Sequence, residues 1–138
     1  MFVGVSAVGV ILAAVSAIVI GMIWYSKATF GKQWMSMMGI SDKDMKKGMA
    51  QAMVWLVGIS LVTAFVLAQF TVYVHSYMGG SWLAAGFETA LWAWLGLAAT
   101  AIFAHGVFDP RDKKVLYINA VNRLVTLLVM GLIIGAFM

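Results

Sequence analysis

The chain has 138 residues, 64% of them hydrophobic and 10% charged, with a mean hydropathy of +0.99 and a formal net charge of +4. A soluble domain carries about 25% charged residues, and one this small buries only about two-thirds of its surface, so the apolar excess must face lipid. Cysteine is absent, which removes disulfides, thiolate nucleophiles and cysteine metal sites, and the positive charge reads as membrane topology rather than a nucleic-acid footprint.

From Phe2 to Tyr25 there is no charged residue, a length that crosses a hydrocarbon layer of about 30 Å. The stretch lacks a basic start and is too long for a signal peptide, so a retained first helix over about residues 2–26 is expected. Gly9, Ala13, Ala17 and Gly21 recur at intervals of four and offer a face that another helix can approach closely. Trp24 and Tyr25 end the helix as interface anchors. Beyond them, Phe30, Trp34, Met37 and Met38 fall on one side of a short helix, with Lys32, Gln33 and Ser36 elsewhere. That pattern suits an element lying in the headgroup plane. Its methionines have no Cys or His beside them and read as flexible apolar filler, not as a soft-metal site.

Ser41 followed by Asp44 resembles a capping box, with Asp42 in the first turn. The second helix is therefore expected over about residues 42–77. At 1.5 Å per residue it exceeds the bilayer core by about 20 Å, so its first turns through Lys47 stand in water. Gly79 and Gly80 make a tight turn and Ser81 caps the third helix, about residues 82–108, whose one charged residue is Glu88. Asp109 reads as an N-cap with Pro110 in the first helical position, which starts a fourth helix over about residues 110–137.

Lys27, Lys32, Lys43, Lys46 and Lys47 lie between the first two helices, and Arg111, Lys113 and Lys114 between the last two; the termini and the Gly79–Gly80 turn carry no cation. This asymmetry predicts that both charged segments are cytoplasmic and both termini outside. Tyr73, Tyr77 and Trp82 then form an outer aromatic belt, and Trp24, Trp34 and Tyr117 an inner one. The expected fold is all-α. It is a polytopic membrane protein, one domain over residues 1–138, with four transmembrane helices in an antiparallel bundle and a short cytoplasmic interfacial helix between the first two.

The last helix holds Asn119, Asn122, Arg123 and Thr126 within an arc of about 100°. A lipid-facing arginine costs roughly 2.5–3.5 kcal/mol, so some other group should receive that face. Counting along the helices puts Glu88 about 10 Å below the outer surface and Arg123 about 12 Å above the inner one. A direct ion pair, a network bridged by water or by Asn119 and Asn122, and a contact with a partner subunit are all open at this point. Trp92 shares the face of Glu88 and is expected either to pack above the acid or, more simply, against the first helix.

Two functional readings follow. In the first, the protein is a small oligomeric transporter or channel-like protein with a polar intramembrane site formed by Glu88, Asn119, Asn122 and Arg123, taking a small solute or ion. In the second it is a structural, lipid-binding or partner-binding membrane module, with Trp24, Tyr25, Phe30, Lys32 and Trp34 as interfacial or lipid contacts. Membrane lipids and further copies of the chain are the expected partners. His75 and His105 sit near opposite ends, and no HExxH, paired-carboxylate, serine-nucleophile, phosphate-loop or dinucleotide pattern occurs. A non-enzyme without cofactor or metal is favoured.

The string Trp24-Tyr25-Ser26, with Phe30-Gly31-Lys32, Trp34 and Met38-Gly39, resembles the hallmark segment of the bacterial DUF1761 family of small membrane proteins. The later string Leu116-Tyr117-Ile118-Asn119-Ala120, preceded by Pro110, is similar to that family's C-terminal signature. The resemblance covers nearly the whole chain. It implies four transmembrane helices in a bacterial cytoplasmic (inner) membrane and assigns no catalytic role to any matched residue. It also directs attention to the Trp24–Gly39 segment, for which the physical reading suggests only an anchor.

Overall fold

Capping residues set where the helices begin. In a computed structural model, which describes residues 4–138, Ser6 accepts a hydrogen bond from the Gly9 amide at 3.2 Å and starts α1, Ala7–Trp24. The expected start of this helix at Phe2 lies outside the described residues. Helix α2, Gly31–Met38, ends at Gly39 with φ of 71°. Helix α3, Asp42–Met78, opens on the full Ser41–Asp44 capping box, each side chain bonded to the other residue's amide at 3.2 Å. The chain then reverses through Gly79 and Gly80, with φ of 71° and 80°, a region that only glycine enters without strain. Ser81 accepts from the Ala84 amide at 3.1 Å and begins α4, Trp82–Gly106; α5 is Lys114–Ala136. All regular structure among the described residues is helical, and α1, α3, α4 and α5 are each long and apolar enough to cross a membrane.

The last helix starts later than Asp109 and Pro110 suggest. Asp109 does not cap it; its carboxylate is taken by Arg111, which pairs with it and donates its own amide at 3.0 Å. That pairing holds the Asp109 carboxyl down to about 2. Lys113 Nζ donates to the carbonyls of Gly106 at 2.6 Å and Asp109 at 3.0 Å, which satisfies the open end of α4 and keeps the chain turning. A second departure lies inside α4, where residues Trp94–Ala99 form a π-helical turn.

Helix α5 is the centre of the assembly. Its most apolar window is 44% buried, against 17% for each of the other three long helices. The core is made largely of small residues, Ala13, Ala64, Ala68 and Ala90, around Leu127, Met130 and Ile134. The tightest seam joins α4 to α5. A Cβ on Gly86 would overlap the Gly131 carbonyl, and one on Gly135 would fall on the Trp82 backbone, so bare backbones touch. Further along, Trp94 Nε1 donates to the Ala120 carbonyl at 2.8 Å and Leu116 fills the space beside Gly106. These pairings run in opposite senses along α4 and α5. Of the small-residue stripe on α1, Gly9 packs on Phe137 and Ala13 is fully buried, while a Cβ on Gly21 would meet nothing.

Candidate functional site

Where α1 ends, its last carbonyls need partners, and hydroxyls supply them. Ser26 Oγ donates to the Ile23 carbonyl at 2.7 Å, and Thr29 Oγ1 bonds the carbonyls of Ile23 and Trp24. The Gly31 amide returns to the Ser26 carbonyl at 2.8 Å, and a Cβ on Gly31 would overlap the backbone of Tyr25 and Ser26. Only glycine fits this closure. The turn sets Trp24 against Phe30, ring centres 4.8 Å apart, and Tyr25 against Trp34 at 5.0 Å.

The held Tyr25 reaches the last helix. Its hydroxyl donates to Asn119 Oδ1 at 2.7 Å, and Arg123, one turn further along α5, lies near enough for its charge to act on that hydroxyl. Arg123 is half-buried and makes no ion pair among the described residues. Asn122 is only 8% exposed, and among the described residues neither its Nδ2 nor the buried Trp24 indole Nε1 has a partner. Among the described residues, three donor groups at this end of the molecule are thus without a protein acceptor, two of them shielded from solvent.

A cavity of about 420 Å³ opens at the same end, lined by Lys32, Gln33, Ser36 and Met37 of α2 and Lys114 of α5. No acid lines it. Nearby, Lys27 pairs with Asp42 at 2.8 Å, and Arg111 Nη1 lies 2.8 Å from Met38 Sδ. The two lysine-rich connecting segments therefore meet, and their cations surround the end of the bundle that holds Tyr25. Phe30 and Lys32 are exposed here, whereas Trp34 is half-buried against Tyr25.

Glu88 is not brought to this cluster. It lies between Gly86 and Ala90, both of which pack on Gly131, about 12 Å along α5 from Arg123. Its side chain is on an exposed face and makes no hydrogen bond or ion pair among the described residues. Among the described residues Glu88 and Arg123 form no ion pair, and about 12 Å of helix separates them. Trp92 does not pack against α1; it is 68% exposed beside Glu88, and Trp94 is the indole that turns inward.

The fold and composition define an all-helical protein with four helices of membrane-crossing length. Residues 8–135 match the model of a protein family of unknown function, DUF1761, and the chain belongs to that family. No curated protein and no solved structure matches it. The two strings that carried the resemblance meet in space. Tyr25 of the first bonds Asn119 of the second; Leu116 packs on Gly106, Tyr117 stacks edge-on with Phe103 at 5.4 Å, and Ala120 receives Trp94. The α4–α5 seam was missed in the sequence, although Gly131 and Gly135, four apart in an apolar stretch, are the small-residue pattern that signals such a contact.

Proposed function

We propose that this protein is a membrane-embedded binding module whose positively charged end holds the anionic headgroup of a membrane lipid. Its four long helices cross the bilayer as an antiparallel bundle, with both termini outside, the lysine-rich segments cytoplasmic and α2 in the interface. The observation that carries the reading is Arg123, a guanidinium without an acid, standing beside the Tyr25–Asn119 bond. That bond also supports a revised depth. Helices α1 and α5 pair from Tyr25–Asn119 to Gly9–Phe137, a length of about 24–27 Å that nearly fills the hydrocarbon layer. Asn119 then marks the inner boundary, and Arg123 lies about 6 Å inside it, not 12. At that depth a guanidinium meets lipid phosphates without a protein counter-ion. The lysines of the α2–α5 cavity add to the same field.

Transport or channel activity stands lower, because Glu88 lies on an exposed face about 12 Å along α5 from Arg123. The exposed Glu88 favours a second element of the proposal, a homo-oligomer. A carboxylate on a membrane-facing helix surface is costly wherever lipid covers it, and a second copy of α4 shields both Glu88 and Trp92.

The test compares purified full-length wild type with Arg123→Gln, reconstituted in mixed phosphatidylglycerol and phosphatidylcholine, reading bound lipid by native mass spectrometry. Wild type is expected to enrich the anionic lipid about tenfold, the equivalent of one charge-assisted contact in a poorly hydrated site. The variant should lose that preference. Equal preference in both proteins sinks the proposal.

A further inference from the structure

The cavity of about 420 Å³ has two walls, Lys32, Gln33, Ser36 and Met37 from α2 and Lys114 from the start of α5. Helical spacing puts its four α2 residues on the side of that helix turned away from the Gly31 closure. The cavity also lies apart from Arg123. Lys114 and Arg123 are nine residues apart on α5, which places them on opposite faces and about 13 Å apart along the axis.

The acids of this end are already taken. Asp42 is paired with Lys27 at 2.8 Å, Asp44 accepts from the Ser41 amide at 3.2 Å, Asp109 is paired with Arg111, and Asp112 accepts from the Lys114 amide at 3.0 Å. The Lys32 charge reaches Asp42, but Lys27 holds that carboxylate. Lys113 is spent on the carbonyls that close α4, and Lys43, Lys46 and Lys47 lie on α3, outside the lining of the cavity. Among the described residues the side chains of Lys32, Gln33, Ser36 and Lys114 make no hydrogen bond or ion pair. Two ammonium groups and two neutral donors thus line one cavity with no acid in it. Such a site draws an anion, and one with two charges relieves the repulsion between both lysines.

We infer that the cavity between α2 and the start of α5 binds a phosphomonoester, with Lys32 and Lys114 on its oxygens and Gln33 and Ser36 as neutral donors. At neutral pH such a group carries about two negative charges and three strong acceptor oxygens, whereas a phosphodiester or a carboxylate brings a single charge. Ligand pockets occupy roughly 300–1,000 Å³, so the cavity has room for the group esterified to the phosphate as well. The site differs from the one at Arg123 in face, in depth and in the anion it selects, and it does not depend on the headgroup reading. Two sources offer this chemistry, the headgroup of a lipid such as phosphatidic acid and a soluble phosphate ester.

The experiment offers the full-length protein two probes. Phosphatidic acid competes with phosphatidylglycerol in mixed nanodiscs, read by native mass spectrometry, and glycerol 3-phosphate is titrated calorimetrically in detergent. Wild type should bind at least one of the two monoesters. Lys32→Gln and Lys114→Gln should each weaken that binding about tenfold, the worth of one charge-assisted contact. Lys43→Gln, a cation outside the cavity, should leave it unchanged. Circular dichroism shows whether each variant is folded, and Lys→Met at the same position, which keeps the apolar stem, replaces any that is not. Preference for phosphatidic acid alone assigns the site to a lipid, and binding of glycerol 3-phosphate assigns it to a soluble ligand; both uphold the cavity. The inference is overturned if wild type binds neither monoester, if the two cavity variants bind as wild type does, or if Lys43→Gln weakens binding equally. Loss of monoester binding in the cavity variants, with equal phosphatidylglycerol preference in wild type and Arg123→Gln, upholds the cavity and sinks the headgroup reading alone.

Discussion

Tyr25 shows how one side chain can tie two distant parts of a chain into a site. Its ring is held by Trp34, its backbone by the Gly31 closure, and its hydroxyl by Asn119, 94 residues away. Sequence reading recognised Tyr25 as an interfacial aromatic and Asn119 as part of a polar arc. It had no means of pairing them, because a hydrogen bond between distant residues leaves no periodic trace. Tyr25→Phe removes one partly buried hydrogen bond and should cost about 1 kcal/mol, seen as a lower thermal midpoint in detergent. Tyr73→Phe, on an exposed face, should leave the midpoint unchanged. Equal midpoints for Tyr25→Phe and wild type would mean that the bond contributes nothing.

At the scale of elements, legibility followed the locality of the signal. The Ser41–Asp44 box, the Ser81 cap and the Gly79–Gly80 reversal are set by neighbours in the chain, and each occurs where those residues require it. The start of α5 was misread because Arg111 competes for Asp109 and Lys113 closes the end of α4, both of them side-chain choices that cap statistics do not contain. Nothing in the sequence marks the π-helical turn at Trp94–Ala99. The glycine seam was legible and overlooked. It makes a firm prediction: Gly131→Val pushes a side chain into the Gly86 backbone and should destabilise the fold by on the order of 3 kcal/mol. Gly58→Val, where an added Cβ meets nothing, should be tolerated. Parallel melting curves compare the two, and a stable Gly131→Val protein would mean that the helices separate at little cost.

For the whole molecule, an uneven distribution of polar groups is the organising fact. Cations collect at the end where α1 stops and α2 lies, while Glu88 is left alone on an outer face of α4. The arc of Asn119, Asn122 and Arg123 was visible from helical spacing, and so was the excess of lysine beside it. The shallower depth proposed for it was not, because that rests on the Tyr25–Asn119 bond, a contact between distant residues. The lone Glu88 carries its own prediction. Leu95→Cys, two turns from Glu88 on the exposed surface, should form disulfide-linked dimers in native membranes under mild oxidation. A monomer under conditions that cross-link a known dimeric control would remove the second copy from the account.

The central claim is that the end built by Tyr25, Asn119 and Arg123 faces lipid headgroups. It is tested most directly by placing a photoreactive amino acid at Trp34, the residue whose ring lies tilted against Tyr25, and irradiating intact membranes. The account predicts an adduct whose added mass is that of an anionic phospholipid, diminished when Arg123 is also replaced by Gln. An adduct with another protein, or lipid labelling indifferent to Arg123, would contradict it.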